Sequence, residues 1–160
     1  MKIITAETPL SYIYDPNHSR ARYTLNNGET WMNHGEFCER MAKAILGFTP
    51  HKDSLPFDEN YDIPELKASV KSYKCGLTDR KDMPKTPAEF LSEFWRREIA
   101  ELHIYVCDHG ETFTLYLMTT AEFKSMVEAL MTWDEAIHNY RMYRCDNKVE
   151  AWLLAHYVEN

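Results

Sequence analysis

The sequence predicts one α+β domain, a central mixed or antiparallel sheet flanked by helices, on three observations. The chain has 160 residues, enough for one core without staples. Some segments alternate polar and apolar residues with the period of a strand. Others repeat apolar residues at helical spacing between recognisable start and stop signals. Hydrophobic residues at 44% and charged residues at 27% are ordinary for a folded protein and argue against disorder. No internal repeat, low-complexity tract or linker divides the chain, so one domain over residues 1–160 is expected.

Taken in order, Tyr12 to Tyr14 and Ala21 to Leu25 are separated by Asp15-Pro16-Asn17 and followed by Asn26-Asn27-Gly28. That punctuation predicts two short extended segments joined by a turn. From Gly35, Phe37, Met41 and Ala44 or Ile45 recur at helical spacing with Gly47 as a stop, which predicts a helix over 34–46. Pro50, Pro56 and Pro64 then exclude a helix of any length between Thr49 and Pro64. In the next segment Glu65, Lys67, Ser69, Lys71 and Tyr73 alternate with Leu66, Ala68, Val70 and Ser72, a strand with one polar and one small-apolar face.

Residues 78–85 read as a loop, and Thr86-Pro87-Ala88-Glu89 is a capping box that opens a helix over 87–98. Leu102, Ile104 and Val106, then Phe113, Leu115 and Leu117, alternate on either side of Asp108-His109-Gly110, which predicts a hairpin with one core-facing side per strand. Thr119-x-x-Glu122 caps a helix to about Met131, Thr132-x-x-Glu135 offers a second cap, and Val149, Trp152 and Leu153 mark a last helix over 148–158.

Charge narrows the functions. Eighteen Lys and Arg against 25 Asp and Glu give a net charge of -7, so a broad cationic coat for nucleic acid is excluded. A metal-dependent nuclease with local cations and a protein with a basic partner both remain. No apolar run approaches the roughly 20 residues of a bilayer span, and Met1-Lys2-Ile3-Ile4 lacks a signal-peptide core, so a cytoplasmic protein without a membrane partner is expected. Cys38, Cys75, Cys107 and Cys145 form no C-x-x-C pair, which leaves buried reduced thiols as the expectation.

No Gly-rich phosphate loop is present. His103 and His109 flank the hairpin turn without metal spacing, and His34 precedes the first helix, where capping, solvent or contact with phosphate or metal are all open. Arg96-Arg97 and the run Tyr140, Arg141, Tyr143, Arg144 interleave rings with cations, a mixture that suits nucleic-acid stacking or amphipathic packing.

Residues 55–72 carry the densest chemistry. Hydrolysis of a phosphodiester by metal-bound water needs oxygen ligands for a hard cation and a lysine beside the water. Residues two apart on a strand point the same way, about 6 to 7 Å apart, so a ligand and a lysine at that spacing share a site. Glu65-x-Lys67 and Ser69-x-Lys71 both offer the spacing, and Asp58 and Asp62 precede them.

With Gly35-Glu36-Phe37-Cys38-Glu39 on the preceding helix, the stretch over residues 34–76 resembles the PD-(D/E)xK nuclease superfamily, the restriction-endonuclease-like fold. Pro56-Phe57-Asp58, Asp62-Ile63-Pro64-Glu65 and Ser69-Val70-Lys71-Ser72 look like small nuclease-like proteins of bacterial mobile elements. The resemblance implies Mg²⁺ or Mn²⁺ held by Asp58 and Asp62 with Glu65 or Ser69. It implies Lys71 or Lys67 as the residue that positions water, and Glu36 for a second metal or a lysine; with serine as the site residue, activity would be lost while the fold remains. The alternative expectation is a non-catalytic acidic protein that inhibits a host defence enzyme, of anti-CRISPR or anti-restriction type, through a basic surface of that enzyme.

Overall fold

The computed structural model describes residues 1–16, 22–31, 34–48, 61–72, 86–130, 132–134, 139–141 and 147–157. Its centre is a mixed sheet in the order β1-β7-β6-β5, built from β1 (Lys2–Glu7), β5 (Ala68–Ser72), β6 (Leu102–Asp108) and β7 (Thr112–Thr119). β6 and β7 form the expected hairpin, β1 lies antiparallel on β7, and β5 runs parallel to β6. A second antiparallel sheet, β2-β3-β4, comprises β2 (Tyr12–Asp15), β3 (Arg22–Leu25) and β4 (Thr30–Trp31). The helices are α1 (His34–Leu46), α2 (Pro87–Arg97), α3 (Thr120–Leu130) and α4 (Asn147–Tyr157).

Two cores form because the central sheet is covered on both faces. On one face Tyr105, Cys107, Tyr116 and Met118 pack against Phe123, Met126 and Val127 of α3 and Val149 and Leu153 of α4, with Leu91 and Trp95 of α2 beside them. On the other, Ile104, Val106, Phe113 and Leu115 meet Phe37, Cys38, Met41 and Ala42 of α1 and Tyr23 and Leu25 of β3. The hairpin strands therefore bury both sides, not the one side per strand that their alternation predicted, as expected where layers cover both faces of a sheet. The same double burial hides β1 from sequence reading, since Ile3 joins one core and Ile4 the other and no period of two results.

Local signals set most boundaries. Gly47, with φ 83°, adopts the left-handed conformation that ends α1. Glu89 N–H donates to Thr86 Oγ1 at 3.2 Å, and Thr119 and Glu122 exchange backbone-to-side-chain bonds of 3.0 and 3.2 Å. The second cap, at Thr132, does not open a helix: β8 (Thr132–Asp134) pairs antiparallel with β9 (Asn139–Arg141). A three-residue cap signal is weak against a Thr-Trp pair that suits a strand and has a partner to bond.

The strand expected from Glu65 starts later. Pro64–Leu66 is a single 3-10 turn, Lys67 takes φ 49°, and β5 begins at Ala68. Proline at the first position of the turn fixes it, and the backbone of Asp62 and Ile63 bonds the Ala68 carbonyl. The cysteines also depart from expectation. Cys38 is a buried thiol, but Cys107 is in a disulfide whose partner lies outside the described residues. Thiol titration of the denatured, unreduced protein should find fewer than four reactive cysteines, and all four after reduction. Four without reductant would contradict the bond.

Candidate functional site

The two faces of the central sheet separate the residues that the sequence grouped. Ser69 is in register with His103 and Lys71 with Tyr105, whose ring lies in the core under α3. Val70 is in register with Ile104 and packs in the core under α1. Ser69 and Lys71 therefore face away from α1, and the delayed start of β5 leaves Glu65 and Lys67 off the strand altogether. The expectation that all four share one face does not hold. Glu65 is exposed, and Lys67 lies 3.6 Å from Glu101 in a pair exposed on both sides, an interaction worth little.

Asp62, Glu36 and Glu39 do come together beside α1. Asp62 Oδ2 accepts the Val70 N–H at 2.7 Å and so pins the outer edge of β5. Burial, then the charges of Asp62 and Glu36, raises the Glu39 carboxyl, against the opposing pull of Lys43, which bonds it at 3.2 Å. Glu39 and Lys43 thus make an ion pair at i and i+4 along the helix. Asp58, Cys75, Cys145, Tyr143 and Arg144 lie outside the described residues, and of Arg97, Tyr140 and Arg141 only the backbone is described.

A different constellation occupies the α1 face. His34 opens α1, and Cys38 follows one turn later on the same side. Asp108 ends β6 on the face of Ile104 and Val106, which points to α1. His34 Nε2 lies 3.0 Å from Asp108 Oδ2, and Cys38 Sγ lies 3.5 and 3.6 Å from the two ring nitrogens of His34. His34 and Cys38 are buried. The exposed or capping role expected of His34 is replaced by this pairing, because its side chain turns under the second sheet and towards Tyr23.

The cluster holds up one wall of a surface depression. Asp108 Oδ1 accepts the Gly110 N–H at 2.8 Å, and His109 N–H bonds the Thr112 carbonyl at 2.9 Å, which closes the turn between β6 and β7. The Gly110 carbonyl in turn accepts Thr8 Oγ1 at 2.9 Å and the Tyr12 hydroxyl at 3.4 Å. Between these elements lies an open depression of about 460 Å³ lined by Glu7, Thr8, Ser11, Tyr12, Gly110, Glu111 and Thr112. Burial, then the charges of Asp108 and Cys38, raises the Tyr12 phenol, so that hydroxyl stays protonated at neutral pH. Among the described residues the lining holds two carboxylates and no cation. Beyond it, β2 is an edge strand on which Ile13 is 74% and Tyr14 46% exposed.

Two other described histidines, His109 and His103, are engaged with neighbouring side chains. His109 pairs with Glu150 at 2.8 Å. His103 is stacked on Phe123 with centroids 4.4 Å apart, and burial lowers its pKa, with Lys71 adding to the effect against Glu98 and Ala100. The sequence showed His34 and Cys38 at helical spacing. It did not show the third member, 74 residues after His34, because which face of β6 meets α1 is a tertiary fact. No helix among the described residues is long and apolar enough to cross a membrane. Compared with protein-family models, curated proteins and solved structures, the chain matches none.

Proposed function

We propose that the protein is a non-catalytic interaction protein whose Glu7/Glu111 depression takes a basic segment of a partner protein. The observation that carries this reading is the depression's lining, which among the described residues is two carboxylates, hydroxyls and a backbone turn with no cation. A lysine or arginine that enters it meets acceptors of one charge sign. An apolar neighbour in the same segment can rest on Tyr14, which lies on the same side of β2 as Tyr12. The net charge of -7 adds long-range attraction for such a partner and repels phosphates. Enzymes that grip nucleic acid present basic surfaces of this kind, so a host defence nuclease is the partner class the chemistry favours.

The test is equilibrium binding of a fluorescent octalysine peptide. The double variant Glu7→Gln/Glu111→Gln should weaken it roughly tenfold, equivalent to about 1.4 kcal/mol. Glu101→Gln/Glu128→Gln removes the same net charge from exposed positions elsewhere and should leave affinity within about twofold, since distant charges are screened. Equal losses in both variants would reduce the effect to overall charge and reject the site.

A second reading, a divalent-cation phosphodiesterase, draws on the carboxylates of Asp62 and Glu36, both of which lie close enough to act on Glu39. Mg²⁺ or Mn²⁺ would then lie among them, with Lys71 on the opposite face of the sheet and unable to serve directly. It predicts plasmid nicking with Mg²⁺ or Mn²⁺ that Asp62→Asn abolishes. Intact plasmid after incubation with either ion excludes it.

A further inference from the structure

We propose that His34, Cys38 and Asp108 bind one borderline transition-metal ion of the Zn²⁺ or Co²⁺ class. Among the described residues this is the one place where His, Cys and carboxylate donors converge, with one donor atom from each within 4.8 Å of the others. A tetrahedral ion with bonds of about 2.0 to 2.3 Å places its donor atoms about 3.3 to 3.8 Å apart. His34 Nε2 stands 3.0 Å from Asp108 Oδ2 and 3.5 Å from Cys38 Sγ, so small rotations of the three side chains complete such a site.

The position of the sulfur also bears on the choice. It is nearly equidistant from both nitrogens of the ring, at 3.5 and 3.6 Å, and so aligns with neither as a thiol that hands its proton to a catalytic base would. Cys38 is fully buried, which closes it to a carbonyl substrate. A bare ion needs no such access, and the Asp108 side chain, 13% exposed, gives it a route from solvent.

The donor set decides the class of ion. A thiolate with an imidazole selects Zn²⁺ or Co²⁺ over Mg²⁺ and Ca²⁺, which require oxygen. On binding, the thiol releases its proton to solvent and the imidazole carries its N–H on Nδ1 while Nε2 ligates, so affinity falls as pH falls. Asp108 keeps one oxygen on the Gly110 N–H while the other ligates, which holds the carboxylate in orientation. Three protein donors are one short of a closed structural site, and water takes the fourth position.

The experiment is titration of the native protein with Co²⁺, followed by absorption. The wild type should bind one Co²⁺ per chain, with thiolate-to-cobalt charge transfer in the near ultraviolet that one equivalent of Zn²⁺ removes. Cys38→Ser should lose that band while it retains the wild-type circular dichroism. Asp108→Asn, at a partly exposed strand end, should weaken Co²⁺ at least about tenfold. Absence of stoichiometric Co²⁺ binding to wild type, or a band that survives in Cys38→Ser, overturns the proposal. Should Cys38→Ser fail to fold, unchanged affinity in Asp108→Asn overturns it equally.

Discussion

Phe37→Ala is expected to destabilise the protein by about 3 to 5 kcal/mol, a large share of the roughly 5 to 15 kcal/mol typical of a domain. Phe37 is fully buried at the junction of three elements. Its ring stacks on Tyr23 of β3 at 4.2 Å, meets Tyr12 of β2 edge-on at 4.7 Å, and lies 6.0 Å from Phe113 of β7. No single neighbour can close the cavity, because each belongs to a different element. The loss should show as a large fall in the urea midpoint with the slope unchanged. Tyr12 also walls the depression, so binding of the octalysine probe should fall in the same variant. A cost under about 1 kcal/mol would mean that the second sheet is not held through this ring.

Arg40→Met is expected to cost about 2 kcal/mol, since it leaves the half-buried Glu29 carboxylate without its charged partner. Arg40 is buried on α1, and it grips Glu29 with Nε at 2.8 Å and a second guanidinium nitrogen at 3.2 Å. Asn27 and Trp31 also donate to Glu29, at 3.0 and 3.4 Å, which partly supports it when the arginine is gone. The pair ties α1 to the loop before β4 and so fixes how the second sheet sits on the helix.

The Arg40 hydrogen bond lowers the Glu29 pKa, against opposing desolvation. A carboxylate whose folded pKa is depressed contributes stability at pH values above its unfolded value, near 4.5, and loses it as pH falls through the folded pKa. Wild type should therefore lose stability below about pH 4.5 faster than Arg40→Met, and the gap between them should narrow. Parallel pH profiles would contradict the coupling.

Helix α1 was legible in full from the sequence, because its apolar period and Gly47 act locally and the structure follows them from His34 to Leu46. The hairpin of β6 and β7 was legible for the same reason. The site was not. A strand read as beginning at Glu65 begins at Ala68, after a proline-started turn that period counting does not register. Register then puts Val70, rather than Ser69 and Lys71, towards α1, and the residues that looked like one site divide between two faces. Asp62 and Glu36 both lie near Glu39, on the α1 side. Arg40 and Asp108 carried no local signal, because their partners lie 11 and 74 residues away.

The most direct test of the proposed docking site is a backbone amide shift map recorded as unlabelled octalysine is added to the isotope-labelled protein. Saturable shifts are expected, centred on Glu7, Ser11, Tyr12, Gly110 and Glu111, with Ile13 and Tyr14 at the margin. Shifts centred instead on Glu36, Glu39 and Asp62, or spread evenly over the exposed carboxylates, would contradict it.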